Sequence, residues 1–292
     1  MRKVLTDAAA PVTRLVELPG RGVTRMWECA GPPGAGTLML IHGVACTAEL
    51  NWGKVLAPLA AHFRVLAPDL RGHGDGIQAR SRFRLEDCAD DIAALAQALG
   101  IGRFTAVGYS MGGMVAQLVY RRHAPLVSGL VLCSTAGRAP GSPLDKLATS
   151  AAAAAMWWNP VLQLMSAEAL GVALLGPIGD PATARWARAQ LRRTTLASVV
   201  SASQAVSTNT AMSWLGQVGV PAAVVVTTRD RIVPASRQLE LARAIPRASV
   251  HQVDADHGVC LTAPQVYAPA LLSACWSVQA GRGRDNRRPG AA

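Results

Sequence analysis

The chain has 292 residues, half of them hydrophobic, which is enough apolar material for one large α/β domain or two small ones. Its net charge is +11, but the arginines are scattered, and no stripe of basic and aromatic residues indicates a nucleic-acid partner. Only residues 279–292 combine charge, glycine and proline without an apolar period, so we expect a disordered basic tail there.

The cysteines and the ends of apolar runs exclude several protein classes. The six cysteines form no C-x-x-C pair and no ligand cluster, which argues against disulfides and a metal site and favours a reducing, cytoplasmic location. Thr6 and Asp7 interrupt the apolar core that a signal peptide needs. The uncharged stretch 148–167 is as long as a membrane span, but it contains Asn159 and Pro160, so we expect an apolar lid and no membrane span.

Apolar patterning predicts eight strands, most of them followed by a helix. Helical spacing is clearest at Leu85, Cys88, Ile92, Leu95 and Leu99. The alternation predicts a mostly parallel sheet with helices on both faces, in which the first two strands pair antiparallel at one edge. The predicted strands are residues 13–18, 22–30, 37–43, 63–69, 104–109, 128–135, 222–228 and 248–254.

About 80 residues without a strand separate the sixth and seventh predicted strands, which is too long for an ordinary loop. We interpret this segment as an inserted helical cap. The predicted organisation is a core over 1–135 and 216–278, a cap over 136–215 and the basic tail over 279–292. In open parallel sheets the chemistry takes place at the carboxyl ends of the strands, so the polar residues just after each strand are the candidates for a site.

A serine, an acid and a histidine each follow a different strand. Ser110 follows the fifth strand, Asp230 the seventh and His257 the eighth. A histidine can remove a serine proton near neutral pH, and an aspartate can hold the imidazole in the tautomer that this requires. The pattern predicts a Ser-His-Asp triad with Ser110 as the nucleophile.

Other residues compete for two of these roles. The alternative acids are Asp254 and Asp256. They are so close in sequence to His257 that their carboxylates could not easily face its ring, and no carboxylate follows the sixth strand. The alternative bases fall inside a predicted strand or at helix ends. They are His62, His123 and His251.

The stretch "GYSMGG" surrounds the serine with glycines. A serine on a tight strand-to-helix turn has a strained backbone. Larger residues in place of Gly108 and Gly112 would collide with the chain on either side of this turn. Because Ser110 precedes a helix, the Met111 N–H is expected to point toward a developing oxyanion. A second donor is expected in the loop after "IHG", at the Val44 N–H.

Five motifs in this order resemble the α/β-hydrolase superfamily. They are "IHG", which ends at Gly43, then "PDLRGHG", "GYSMGG", "TTRDRIVP" and "DHG", within a resemblance that runs from about Arg14 to Trp276. The resemblance implies the α/β-hydrolase fold and a lid-bearing branch that includes esterases, cofactor-free perhydrolases and C–C hydrolases. It also implies that His73 is a turn residue, a role that we expect for His42 in its loop as well. One departure is Thr228, where the family often has glycine.

An activated serine beside two backbone donors suits acyl transfer through a tetrahedral oxyanion. The predicted function is therefore hydrolysis of an ester, thioester or lactone with a hydrophobic group, without a cofactor. The alternatives are a C–C hydrolase, a cofactor-free perhydrolase and a non-enzymatic receptor, and the sequence leaves a homo-oligomer open. Cys46 and Cys260 are expected to be wall residues. The candidate pocket residues are Trp52, Tyr109, Trp157 and Trp158.

Overall fold

The computed structural model describes residues 10–78, 82–139, 151, 166–175, 178 and 180–285. Within these ranges the chain forms the eight strands that the apolar pattern predicted. They are β1 (Val12–Leu18), β2 (Gly22–Cys29), β3 (Thr37–Ile41), β4 (Arg64–Pro68), β5 (Phe104–Tyr109), β6 (Val127–Cys133), β7 (Ala222–Thr227) and β8 (Ser249–Val253).

Ten α-helices are described in the same ranges. They are α1 (Ala48–Trp52), α2 (Leu56–Ala60), α3 (Leu85–Ala98), α4 (Met111–His123), α5 (Glu168–Leu175), α6 (Pro181–Leu191), α7 (Leu196–Thr208), α8 (Ala235–Ala244), α9 (Val259–Thr262) and α10 (Pro264–Asp285). None of them combines the length with the sustained apolar character that a bilayer crossing requires.

One sheet contains all eight strands in the order β1-β2-β4-β3-β5-β6-β7-β8. β1 pairs antiparallel with β2, and β2 pairs antiparallel with β4, whereas every other neighbouring pair is parallel. The predicted mostly parallel sheet with an antiparallel edge is confirmed. Because β3, β5, β6, β7 and β8 run in parallel, their carboxyl ends lie along one edge.

The sheet separates two apolar layers. Met39 and Ile41 of β3 pack into the layer that contains the buried faces of α3 and α4. Leu38 and Leu40 pack into the opposite layer, with residues of α1, α2, α9 and α10. A strand buried on both faces needs apolar residues at every position, which explains the continuous run "LMLI".

Two helical segments differ from the sequence prediction. The apolar spacing from Trp52 to Leu59 is that of one helix, but α1 and α2 are separate, with Gly53 as the C-cap of α1. A disordered tail was predicted over residues 279–292, but the last helix continues to Asp285. At Gly281 a Cβ would lie 2.8 Å from Pro221 Cβ, so the extra turns pack closely on the residue that precedes β7.

The described part of the predicted cap is helical and is anchored to the core by polar contacts. The Thr47 hydroxyl donates to Gln190 Oε1 at 3.1 Å, and the Gly74 N–H donates to Thr194 Oγ1 at 3.2 Å. Arg193 forms ion pairs with Glu49 and Asp75. These contacts fix the C-terminal end of α6 beside the loops that follow β3 and β4.

Candidate active site

Ser110 occupies a strained turn between β5 and α4. Its backbone has φ 53° and ψ −119°, in the region that favours glycine. The Ser110 N–H donates to Cys133 O and the Gly113 N–H donates to Ser110 O, each at 2.9 Å. These bonds and the fully buried strand β5 hold the side chain up at the carboxyl edge of the sheet.

The glycines of the turn are required by close backbone approach. A Cβ on Gly108 would overlap Gly112 O, and a Cβ on Gly112 would overlap Ile41 O. We predict that Gly108→Ala or Gly112→Ala lowers the free energy of unfolding by about 3 kcal/mol, since backbone must shift to relieve the overlap. Urea denaturation measures this. The control is Gly102→Ala, where nothing lies within 4 Å, and an equal loss there would contradict the prediction.

The structure brings the three predicted triad residues together. His257 Nε2 lies 3.1 Å from Ser110 Oγ, and His257 Nδ1 lies 2.7 Å from Asp230 Oδ2. The Asp230 side chain is fully buried. Because Nδ1 faces a carboxylate it carries the ring proton, which leaves Nε2 as the acceptor for the serine proton.

The Asp230 carboxylate is held at both oxygens. Oδ1 accepts from the Ile232 and Val233 N–H groups at 2.9 and 2.8 Å. Oδ2 accepts from Thr227 Oγ1 at 2.8 Å and from Gln238 Nε2 at 3.3 Å, in addition to the histidine. These donors hold the carboxylate in a single orientation, in which Oδ2 faces the imidazole.

Sequence reasoning missed Gln238, a fully buried residue of α8 that bonds to the loop after β7. Its Nε2 donates to Val233 O at 2.7 Å, and its Oε1 accepts from the Thr227 N–H at 3.0 Å. The available signal was its position: Gln238 shares the buried stripe of α8 with Leu241 and Ala242. A glutamine in an apolar stripe indicates a buried polar partner.

The competing residues have other partners. His251 bonds to Ser249 and Ser277, His123 bonds to Asp90, and His62 packs on the Trp276 ring. Asp254 forms an exposed ion pair with Arg229, and Asp256 accepts from the Gly258 N–H. Among the candidate acids and bases, only Asp230 and His257 therefore belong to the series of hydrogen bonds that reaches Ser110.

His42 shapes the loop after β3, as predicted. Its Nε2 accepts from the Leu70 N–H and its Nδ1 donates to Gly43 O, both at 2.8 Å. Burial lowers its pKa to about 4, so the ring is neutral at neutral pH. Its ring also packs at 5.4 Å from His73, and Nδ1 of His73 bonds to Arg71 O within the turn after β4.

The two buried histidines predict a loss of stability in acid. Burial lowers the pKa from 6.5 to about 4 for His42 and to about 3 for His73. Below pH 6.5 the unfolded chain binds protons that the native state does not, so the free energy of unfolding should decrease as the pH falls from 6.5 to 4. The slope is up to about 1.4 kcal/mol per pH unit for each histidine.

Urea midpoints at pH 7 and pH 5 test this prediction. His73→Leu should reduce the difference between the two midpoints, whereas the control His62→Asn, at an exposed position, should not. An unchanged difference in His73→Leu would show that other groups cause the acid sensitivity.

The loop that follows β3 and the start of α4 border one cavity of about 160 Å³ in front of Ser110. The predicted donors Val44 and Met111 both line it, and the first N–H groups of a helix such as α4 have no partner inside the helix. Most of the lining is apolar. It consists of Gly43, Val44, Ala45, Cys46, Asn51, Tyr109, Ser110, Met111, Met114, Thr135, Gly171, Leu191, Ser203, Val206, Ile232, Val233, His257 and Cys260.

The candidate pocket residues have different outcomes. Tyr109 lines the cavity. Its hydroxyl donates to His257 O at 2.6 Å and so holds the loop after β8 that carries His257. The pocket prediction for Trp52 is wrong: the indole is fully buried and packs edge-to-face on Tyr109 outside the cavity lining. Trp157 and Trp158 lie outside the described residues.

Cys46 and Cys260 line the cavity as predicted. Burial raises the pKa of the Cys260 thiol to about 12 and raises that of Cys46 further, so both thiols are neutral wall groups. In the portion of the chain that the structure describes, no three His, Cys, Asp or Glu side chains converge as metal ligands.

Comparison with known proteins identifies the fold. The family model described as alpha/beta hydrolase fold matches residues 36–164. The chain is 37% identical over 131 residues to an uncharacterized protein of Mycobacterium tuberculosis, a match that covers 45% of this chain and 37% of that protein. The chain thus spans little more than a third of the length of this relative.

Two solved structures superpose on almost the whole chain, each with 23% sequence identity. A thermophilic esterase from Thermogutta terrifontis has a TM-score of 0.76 and covers 91% of this chain and 99% of its own. An enol-lactonase from Burkholderia xenovorans has a TM-score of 0.73 and covers 90% of this chain and 100% of its own. At this identity the likeness establishes the fold. Together with the family match over residues 36–164, the strand order and the serine turn, it shows that this chain has the α/β-hydrolase fold.

Proposed function

We propose that this protein is a serine hydrolase that cleaves an ester, thioester or lactone carrying a hydrophobic group, through an acyl-enzyme on Ser110. One observation carries the proposal: the hydrogen-bonded series Asp230–His257–Ser110 ends at the wall of a mostly apolar cavity. The esterase and the enol-lactonase that share the fold act on such bonds, by their names, and support the same reaction class.

Acylation follows from the proton positions. His257 Nε2 takes the Ser110 proton while Oγ attacks the carbonyl carbon, and Asp230 stabilises the imidazolium that forms. The negative charge moves to the carbonyl oxygen, where the N–H groups of Val44 and Met111 would stabilise it. The intermediate collapses with cleavage of the bond to the leaving group, which takes the proton from His257.

Deacylation repeats these steps with water. His257 removes a proton from the water that attacks the acyl carbonyl, and it returns that proton to Ser110 Oγ as the acid leaves. The Thr227 and Gln238 contacts keep Asp230 in place through both half-reactions.

The cavity size predicts a short acyl chain. An apolar cavity of about 150 Å³ holds one benzene molecule, and the cavity beside Ser110 is about 160 Å³. We therefore predict that kcat/KM for nitrophenyl esters is highest near four to six acyl carbons (roughly one benzene in volume). It should fall on either side, toward acetate and toward dodecanoate. A profile that rises steadily to dodecanoate would contradict this assignment of the pocket.

Two measurements test the proposal. Labelling by a fluorophosphonate should be stoichiometric at Ser110 and absent in Ser110→Ala, a result that a non-enzymatic receptor without an activated serine would not give. Turnover of nitrophenyl esters should exceed turnover of a ring-cleavage dienoate and of acetate with peroxide. A clear preference for either of these two substrates would instead support the C–C hydrolase or the perhydrolase.

A further inference from the structure

A buried amide donor without a partner belongs to the wall of the active-site cavity. Asn51 is 1% exposed, and its Nδ2 has no acceptor within hydrogen-bond distance among the described residues. Six other buried polar side-chain atoms share this property in those ranges, and none of their residues lines the cavity. An unpaired buried donor is costly, so its place beside the nucleophile calls for an explanation.

The orientation of this amide follows from its other contact. The Gly43 N–H donates to Asn51 Oδ1 at 3.0 Å. Only the carbonyl oxygen of an amide accepts a hydrogen bond, so Nδ2 is the atom left without a partner. α1 fixes the residue, because the Asn51 N–H donates to Thr47 O and Trp52 beside it is fully buried.

Asn51 and Ser110 flank the same glycine. A Cβ built on Gly43 would lie 3.2 Å from Ser110 Cβ and 3.7 Å from Asn51 Oδ1. Asn51 and Ser110 therefore lie close to each other in the wall of one cavity. In pockets lined mostly by apolar groups, the few polar groups determine the orientation and choice of ligand.

We propose that Asn51 Nδ2 binds an acceptor oxygen of the substrate, so that the preferred esters carry a carbonyl or hydroxyl oxygen close to the ester group. This inference rests on the proposed function. The oxygen belongs to the acyl or to the alcohol portion, and both supply the same acceptor chemistry. The Asn51 donor then selects an oxygenated short-chain ester over its hydrocarbon counterpart.

Two pairs of esters, each differing by one oxygen, test the proposal. The acyl pair is ethyl 3-oxobutanoate and ethyl butanoate, and the alcohol pair is 2-oxopropyl acetate and propyl acetate. The variant is Asn51→Asp at pH 8, whose ionised carboxylate still accepts from the Gly43 N–H but has no donor. The ratio of kcat/KM within each pair is compared between proteins, so the intrinsic reactivity of the esters cancels.

We expect the oxo-to-plain ratio to fall about fivefold or more in Asn51→Asp for one of the two pairs, which identifies the portion that carries the oxygen. Damage to the loop after β3, which carries Val44, would lower kcat/KM for both esters of a pair and leave their ratio unchanged. The matched control is Asn209→Asp, because Asn209 Nδ2 is also buried without a described partner but lies outside this cavity. Unchanged ratios for both pairs in Asn51→Asp would overturn the proposal.

A binding measurement keeps the two proposals separable. NMR titration of Ser110→Ala with each ester measures affinity without turnover, and it applies if Asn51→Asp does not fold. The oxo ester of one pair should bind more tightly than its plain counterpart, and equal affinities in both pairs would overturn the role of Asn51. Absence of turnover and of Ser110 labelling in the wild-type protein would instead refute the hydrolase, whatever the titration shows.

Discussion

Ser110→Ala should lower kcat/KM for short-chain esters by about 10⁵-fold or more, to the level of the residual catalysis that a serine hydrolase retains without its nucleophile. His257 Nε2 contacts Ser110 Oγ at 3.1 Å, and no other serine hydroxyl in the described ranges bonds to this histidine. Without Oγ no acyl-enzyme forms, and His257 can only activate water against a carbonyl that is not covalently held.

The measurement combines initial rates with active-site titration, so that traces of wild-type enzyme are recognised. The control is Ser128→Ala, since Ser128 is buried on β6 away from the cavity; it should retain the wild-type rate. If Ser110→Ala kept a tenth of the activity, by contrast, the hydrolysis would have to proceed without a covalent intermediate on this residue.

The sheet and the triad could be predicted because they depend on patterns local in the sequence. The run "LMLI" in β3 is apolar at every position because its side chains enter both layers. Parallel strands bring their ends to one edge, so residues 120 and 27 positions apart in the chain meet there without any further information. The chemistry of Ser110, Asp230 and His257 then indicated which strand ends are relevant.

The support around the triad could not be predicted because its contacts are pairwise and specific. Gln238 and Asn51 are single polar residues on helices, and no local pattern shows that one meets the acid loop and the other Gly43. Trp52 illustrates the same limit. Helical spacing shows that its side chain faces the protein interior. Only the observed packing on Tyr109 shows that the indole does not reach the cavity.

The end of α10 shows tertiary packing overriding a compositional signal. Glycine and charge after residue 278 favour a disordered tail, yet the helix continues to Asp285. Gly281 leaves room for Pro221, a residue 60 positions earlier in the chain. Helix propensity contains no information about such a contact, so the predicted boundary was too early.

Asp230→Asn should lower kcat by about 10⁴-fold with little change in KM, because it reverses the tautomer of His257. The Ile232 and Val233 N–H groups donate to one oxygen of Asp230, and the other oxygen faces His257. An asparagine in this position must turn its carbonyl oxygen toward the two backbone donors. Its NH₂ group then points at His257 Nδ1, which has to accept, so the ring proton moves to Nε2 and blocks the transfer from Ser110.

Single-turnover rates for Asp230→Asn separate this effect from a loss of binding, and thermal unfolding confirms that the variant is folded. Asp254→Asn and Asp256→Asn are the matched controls, because both residues lie close to His257 in sequence but bond elsewhere. They should keep kcat within a few-fold of the wild-type value. A loss in either control as large as in Asp230→Asn would assign the acid to the loop after β8. If only Asp230→Asn loses activity, the acid lies after β7, where Thr227 and Gln238 hold it against the imidazole.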